Sequence, residues 1–158
     1  MGPLGYILIT ATAVSAIAAI PSRSLDQPKK ATDSVMQVYK SATCGCCKAW
    51  IEHARGAGFE VRATDLDEAA LQVQKAKYGI TDDLRSCHTA IIAGYAIEGH
   101  VPASDIRRLL TERPTVAGLA APGMPRGSPG MEMPGGVKDP FTVLAFTKAG
   151  ATRTFAKH

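Results

Sequence analysis

Apolar positions change period several times along this chain, and each change marks an element. The first 20 residues carry no charge, and the 17 residues from Leu4 to Ile20 are apolar or small. Ala16-Ile17-Ala18-Ala19 offers a small-residue cleavage pattern, so residues 1–20 read as a secretory signal peptide. The first basic residue, Arg23, lies after the apolar run and not before it. An uncleaved anchor is therefore the alternative, at the short limit of the roughly 17 to 25 residues that span a hydrocarbon core. A polar linker over residues 21–34, carrying Pro28, follows.

Beyond the linker, strand and helix periods alternate. Met36 to Lys40 reads as a strand. Cys46 to Ala57 reads as a helix with Trp50, Ile51 and Ala54 on one face, closed by Gly56 and Gly58. Phe59 to Ala63 is the next strand. Asp65 or Asp67 caps a second helix to Tyr78, with Leu71, Val73, Ala76 and Tyr78 as its apolar positions and Gly79 ending it. Thr89 to Ala93 and Tyr95 to Glu98 form two strands joined through Gly94. Pro102 and Pro114 bracket a third helix whose buried face carries Ile106, Leu109 and Leu110. Residues 115–138 are too rich in Gly, Pro and Met for regular structure and read as a loop. Within residues 139–158, Thr142 to Thr147 and Thr152 to Ala156 read as a hairpin, with the terminal His158 expected to be mobile.

This order over residues 35–114, strand-helix-strand-helix-strand-strand-helix, is that of an α/β, thioredoxin-like single domain. The Met/Pro/Gly loop and the C-terminal hairpin are additions to it. With 158 residues, 46% of them hydrophobic, the chain has enough apolar material for one core. Lys and Arg exceed Asp and Glu by only 18 to 14, and the longest basic runs are Lys29-Lys30 and Arg107-Arg108. With no interleaved aromatic stripe, that pattern argues against a nucleic-acid partner.

The candidate chemistry is sulfur. Three of the four cysteines lie in Cys44-Gly45-Cys46-Cys47, between the first strand and first helix, and the fourth stands in Cys87-His88. Unpaired N–H groups and the helix dipole at such a junction favour thiolates and lower their pKa. Cys44 and Cys47, three apart, can turn to one spot, and Cys46 adds a third sulfur. A dithiol enzyme needs only an attacking and a resolving thiol, whereas soft thiolates select Cu(I), zinc or iron–sulfur species. Three readings stay open: a Cu(I)-thiolate site of Cys44, Cys46, Cys47 and Cys87, a thiol-disulfide oxidoreductase using Cys44 and Cys47, and a structural four-cysteine zinc site. Four cysteines would also allow two structural bridges in three connectivities, but this chain is long enough not to need them.

No proline occurs between Gly79 and Val101, where redox members of the fold place one before the third strand. Strand alternation is expected to send His88 away from the Cys87 side, although an imidazole there is a further candidate ligand or proton carrier. Met124, Met131 and Met133, three of the five methionines, fall in the loop. Thioethers bind Cu(I) without deprotonation, so these three are candidate additional ligands as well as packing groups. The loop is expected to fold back over the cysteines.

Several segments carry a resemblance: Tyr39-Lys40-Ser41, Cys44 to Lys48, Asp65-Leu66-Asp67, Lys77-Tyr78-Gly79-Ile80, Leu84 through Ala90, Glu98 through Ala103, Pro122-Gly123-Met124-Pro125 and Gly127 through Glu132. Together they resemble a small family of exported metal-binding proteins, long known only as a domain of unknown function, that includes the copper-resistance protein CopG. The resemblance covers most of the chain after the linker. It implies a thioredoxin-like fold in a bacterial periplasm, copper handling, and one or several Cu(I) ions held by Cys44, Cys46, Cys47 and Cys87. Conversion between Cu(I) and Cu(II), with other periplasmic copper-handling proteins as partners, is the further expectation. A membrane enters only if the leader stays uncleaved.

Overall fold

Val35–Lys40 forms β1, with Met36, Val38 and Lys40 turned inward. This computed structural model describes residues 1–2 and 35–158. Apart from residues 1–2, the leader and linker read from the sequence lie outside the described residues. A helix, α1 (Gly45–Gly56), follows β1 directly, its Trp50, Ile51 and Ala54 buried as the spacing predicts. It leads into β2 (Glu60–Asp65), which lies parallel to β1. Asp67 caps α2 (Glu68–Lys77), its Oδ1 accepting from the Ala70 N–H at 2.8 Å. A 3₁₀ turn at Asp82–Leu84 precedes β3 (His88–Ile92), which pairs antiparallel with both β1 and β4 (Tyr95–Gly99). Then come α3 (Ala103–Glu112), β5 (Gly118–Ala121), β6 (Thr142–Phe146) and β7 (Thr152–Lys157).

The seven strands form one sheet in the order β2-β1-β3-β4-β5-β6-β7. Its first four strands and three helices are the thioredoxin-like core, and the C-terminal hairpin β6–β7 extends the sheet beyond β5. Trp50 and Ile51 of α1 and Ile106 and Leu109 of α3 share one apolar cluster with Val38, Ile97 and Leu119. On the opposite strand faces Ala96, Ala120 and Phe146 meet Ile80 and Leu84. Alternation across the sheet thus assigns each strand residue to the α1/α3 side or to the α2 side.

Three details depart from the sequence pattern. Val73, read as an apolar position of α2, is 67% exposed, and the residue that α2 turns inward beside Leu71 is Lys75, 1% exposed. Gly118–Ala121, read as part of the loop, is a fully buried strand inserted between β4 and β6. His158 is held in place: its backbone exchanges two hydrogen bonds with Phe141, and its Nε2 lies 2.7 Å from Asp105 Oδ2.

Candidate metal centre

The tetrapeptide takes its geometry from the start of α1. Cys44 is the N-cap residue, and its Sγ accepts from the Cys47 N–H at 3.3 Å. Gly45 and Cys46 complete the turn, so all three cysteine side chains emerge at one helix end. Cys44 and Cys47 are joined in a disulfide, with Cys47 fully buried. Cys46 and Cys87 are free thiols. Cys46 Sγ lies 3.5 Å from Cys44 Sγ and 3.6 Å from Cys87 Sγ. The four sulfurs fall within 4.8 Å of one another. The convergence read from the sequence is therefore present, but the four-thiolate form requires the disulfide to be opened by two electrons.

A second group of donors shares Cys87. Cys87, His88 and His100 each place one ligand atom within the same 4.8 Å limit. His100 Nδ1 lies 2.8 Å from the Pro129 carbonyl oxygen, which can only accept, so Nδ1 carries the proton and Nε2 the lone pair. Nε2 sits 2.9 Å from Cys87 Sγ and accepts from its thiol. A backbone carbonyl on the far nitrogen is the usual way a ligating imidazole is oriented. His100 was not singled out from the sequence, because its own strand run ends at Glu98. The signal was in the hairpin register. Thr89 pairs with Glu98, and two more steps outward bring Cys87 opposite His100.

His88 is not sent away from the cluster. It is fully buried between the Trp50 ring, 4.4 Å away, and the His100 ring, 5.2 Å away. Its Nδ1 is 3.7 Å from Cys87 Sγ, and its Nε2 has no hydrogen-bond partner among the described residues. Alternation does place His88 on the α1 face, but the cysteines at the head of α1 lie on that same face. Trp50 is fixed in turn by its Nε1–H, which donates to the Val101 carbonyl at 3.0 Å.

At Cys87 the electrostatics differ from the expected lowered thiol pKa. Burial first, then the neighbouring Cys46, pushes the Cys87 thiol up to about 12. Cys87 lies just before β3, and the α1 N–H that bonds a sulfur here, that of Cys47, goes to Cys44 Sγ and not to Cys87. Burial also lowers the pKa of His100 and holds that of His88 well below the ordinary imidazole value, with the other imidazole and Lys75 adding to the effect at His88. Near neutral pH the Cys87–His100 pair is therefore an uncharged thiol and imidazole, and a cation bound there displaces the thiol proton.

The loop covers this centre, as expected, and does so with backbone. Pro129 supplies the carbonyl to His100. Gly123 accepts from Ser86 Oγ at 2.5 Å and donates its N–H to the Arg85 carbonyl. Gly130, at φ +81°, lies so close to α1 that a Cβ would stand 2.6 Å from Trp50 N and 2.9 Å from the Cys46 carbonyl oxygen. Arg126 and Asp139 close the loop's base with two hydrogen bonds at 2.9 and 2.8 Å. Met124 and Met133 are exposed and Met131 is half-buried.

Two solved structures resemble this one. A structure of copper resistance protein CopG, form 1, superposes with a TM-score of 0.72 at 41% identity, covering 78% of this chain and 96% of its own. A second, form 2, gives 0.71 at 44% identity over 78% and 97%. A family model described as a protein of unknown function, DUF411, matches residues 84–131, the stretch holding Cys87, His88, His100 and most of the Gly/Pro/Met loop. No curated protein matches significantly. At this identity, over nearly the whole length of the related structures, the chain belongs to the DUF411 family, which includes the copper resistance protein CopG.

Proposed function

We propose that this protein binds copper as Cu(I) in the bacterial periplasm, for copper resistance, on the thiolates of Cys44, Cys46, Cys47 and Cys87. The observation that carries the reading is the meeting of four sulfurs from segments 40 residues apart within 4.8 Å, in a chain related to copper resistance proteins. Thiolates and a neutral imidazole are soft or borderline donors that suit Cu(I). Adjacent Cys46 and Cys47 can bridge more than one ion, and His100 is an added donor on the Cys87 side. Met124, Met131 and Met133 are candidate ligands for ions entering or leaving. Export rests on the apolar leader, and a periplasmic donor or acceptor of Cu(I) is the expected partner.

The disulfide gives the same site a redox use. Opened, Cys44 and Cys47 hold two electrons. Two Cu(II) ions taking one electron each become two Cu(I), the sulfur–sulfur bond forms and two protons leave. A thiol reductant must then restore the dithiol. Copper content measured anaerobically on the reduced and the disulfide forms tests the site. The reduced form should hold several Cu(I), and Cys87→Ser should lose most of them. Equal copper in all three samples would overturn the reading.

The disulfide also supports a second reading, a thiol-disulfide oxidoreductase with half-buried Cys44 as nucleophile and buried Cys47 as resolver. Cys46, 3.5 Å from Cys44 Sγ, weighs against it, because a third thiol there diverts the mixed disulfide. Reduction of insulin disulfides by metal-free protein discriminates: sustained turnover favours the enzyme.

A further inference from the structure

Behind the metal centre lies a buried ion pair that the copper reading does not use. Lys75 and Glu98 meet at 2.6 Å with side chains 1% and 0% exposed. Such a pair is weak evidence for stability, since two apolar residues of similar volume often serve as well or better. The carboxylate, however, does more than face the lysine. Its Oε1 accepts from the Ser86 N–H at 2.6 Å, and its Oε2 accepts from the Thr89 hydroxyl at 2.6 Å. Lys75 Nζ also donates to Thr89 Oγ1 at 3.2 Å.

Ser86 and Thr89 flank Cys87 and His88 on either side. The Ser86 N–H precedes β3 and has no strand partner among the described residues, and the Glu98 carboxylate satisfies it. Glu98 is also two residues before His100, joined to it through Gly99. That glycine has φ +72°, and a Cβ there would collide with the Ser86 side chain. One side chain therefore ties the strand end bearing Cys87 to the strand end bearing His100.

We propose that Glu98, with Lys75 as its counter-ion and Thr89 as its second anchor, is a positioning residue that sets the spacing of Cys87 Sγ and His100 Nε2. The proposal rests on the copper reading only for its purpose; the geometry is testable without metal.

The test uses the full chain carrying Cys46→Ser with the Cys44–Cys47 disulfide intact, so that Cys87 is the one free thiol. The rate of Cys87 alkylation by iodoacetamide is compared, metal-free, in that background and with Thr89→Val, Thr89→Ser and the pair Lys75→Met/Glu98→Leu. Loss of the clamp should raise the rate about tenfold in Thr89→Val and in the double variant, the scale of one hydrogen bond of ordinary strength. Thr89→Ser, which keeps the hydroxyl, should alkylate at about the background rate. In the reduced chain with Cys46 present, the same two changes should weaken Cu(I) binding about tenfold, as loss of outer-shell partners does. A fall in melting temperature with alkylation rates within twofold of the background would show a purely structural pair and overturn the proposal. Shifted alkylation in a chain that binds no Cu(I) would instead overturn the copper reading and leave the positioning role standing.

Discussion

The Cys44–Cys47 turn and the Cys87–His100 pair contribute to one centre but are held by different means. The turn is local: strand, cap and first helical turn place three sulfurs within four residues, and the Cys47 N–H of α1 donates to Cys44 Sγ. The Cys87–His100 pair is assembled from two strand ends, a loop carbonyl at Pro129 and a buried ion pair reaching from α2. One half of the centre can thus change redox state by making or breaking a bond within a single turn. The other half depends on tertiary packing to keep its spacing.

The largest effect that probes this contrast is on the packed half. Lys75→Met leaves the Glu98 carboxylate buried without its counter-ion and should cost about 3–5 kcal/mol, read from urea unfolding of the disulfide form. The double change Lys75→Met/Glu98→Leu should recover much of that. No loss in the single variant would mean that Glu98 is not a buried charge in the folded chain.

Alkaline titration acts on the same half. Folding raises the Cys87 pKa from the ordinary thiol value near 9 to about 12. The native state therefore binds more protons than the unfolded chain between those values. The stabilisation is full below pH 9 and is lost as pH rises toward 12. Unfolding midpoints measured across that range should fall less steeply in Cys87→Ser; identical slopes would remove Cys87 as the cause.

The turn is probed from the loop side. Gly130→Ala places a Cβ against Trp50 N at positive φ, and should cost about 1–3 kcal/mol while loosening the loop over Cys46. Hydrogen exchange at residues 123–132 reads the loosening, and unchanged protection would contradict the close approach. The smallest effect is expected at Val73, where Val73→Lys should stay within about 0.5 kcal/mol by thermal unfolding, because the side chain is exposed.

The local half was legible in the sequence for the reason that makes it local. A strand, a Cys-x-Cys-Cys turn and an amphipathic helix are each read over a few residues, and Trp50, Ile51 and Ala54 are buried as their spacing predicts. The packed half was legible only in part. Cys87 stood out by its neighbour His88, but His100 needs the register of a hairpin, and Pro129 needs the path of a loop without regular structure. Lys75 was hidden because a charged residue counts as solvent-facing in any apolar periodicity, which handed its place in α2 to Val73. β5 was missed because Gly118-Leu119-Ala120-Ala121 has no β-branched residue and no alternation; buried along its whole length, it has no polar face to reveal its period.

On the copper reading, the four sulfurs form one soft-metal site once the Cys44–Cys47 bond is opened. Copper K-edge X-ray absorption on the reduced protein, loaded anaerobically with Cu(I), tests it most directly. The expected spectrum has a first shell dominated by sulfur with a copper–copper distance visible beyond it, both lost in Cys87→Ser. A shell of oxygen and nitrogen, or one unchanged by that substitution, would contradict it.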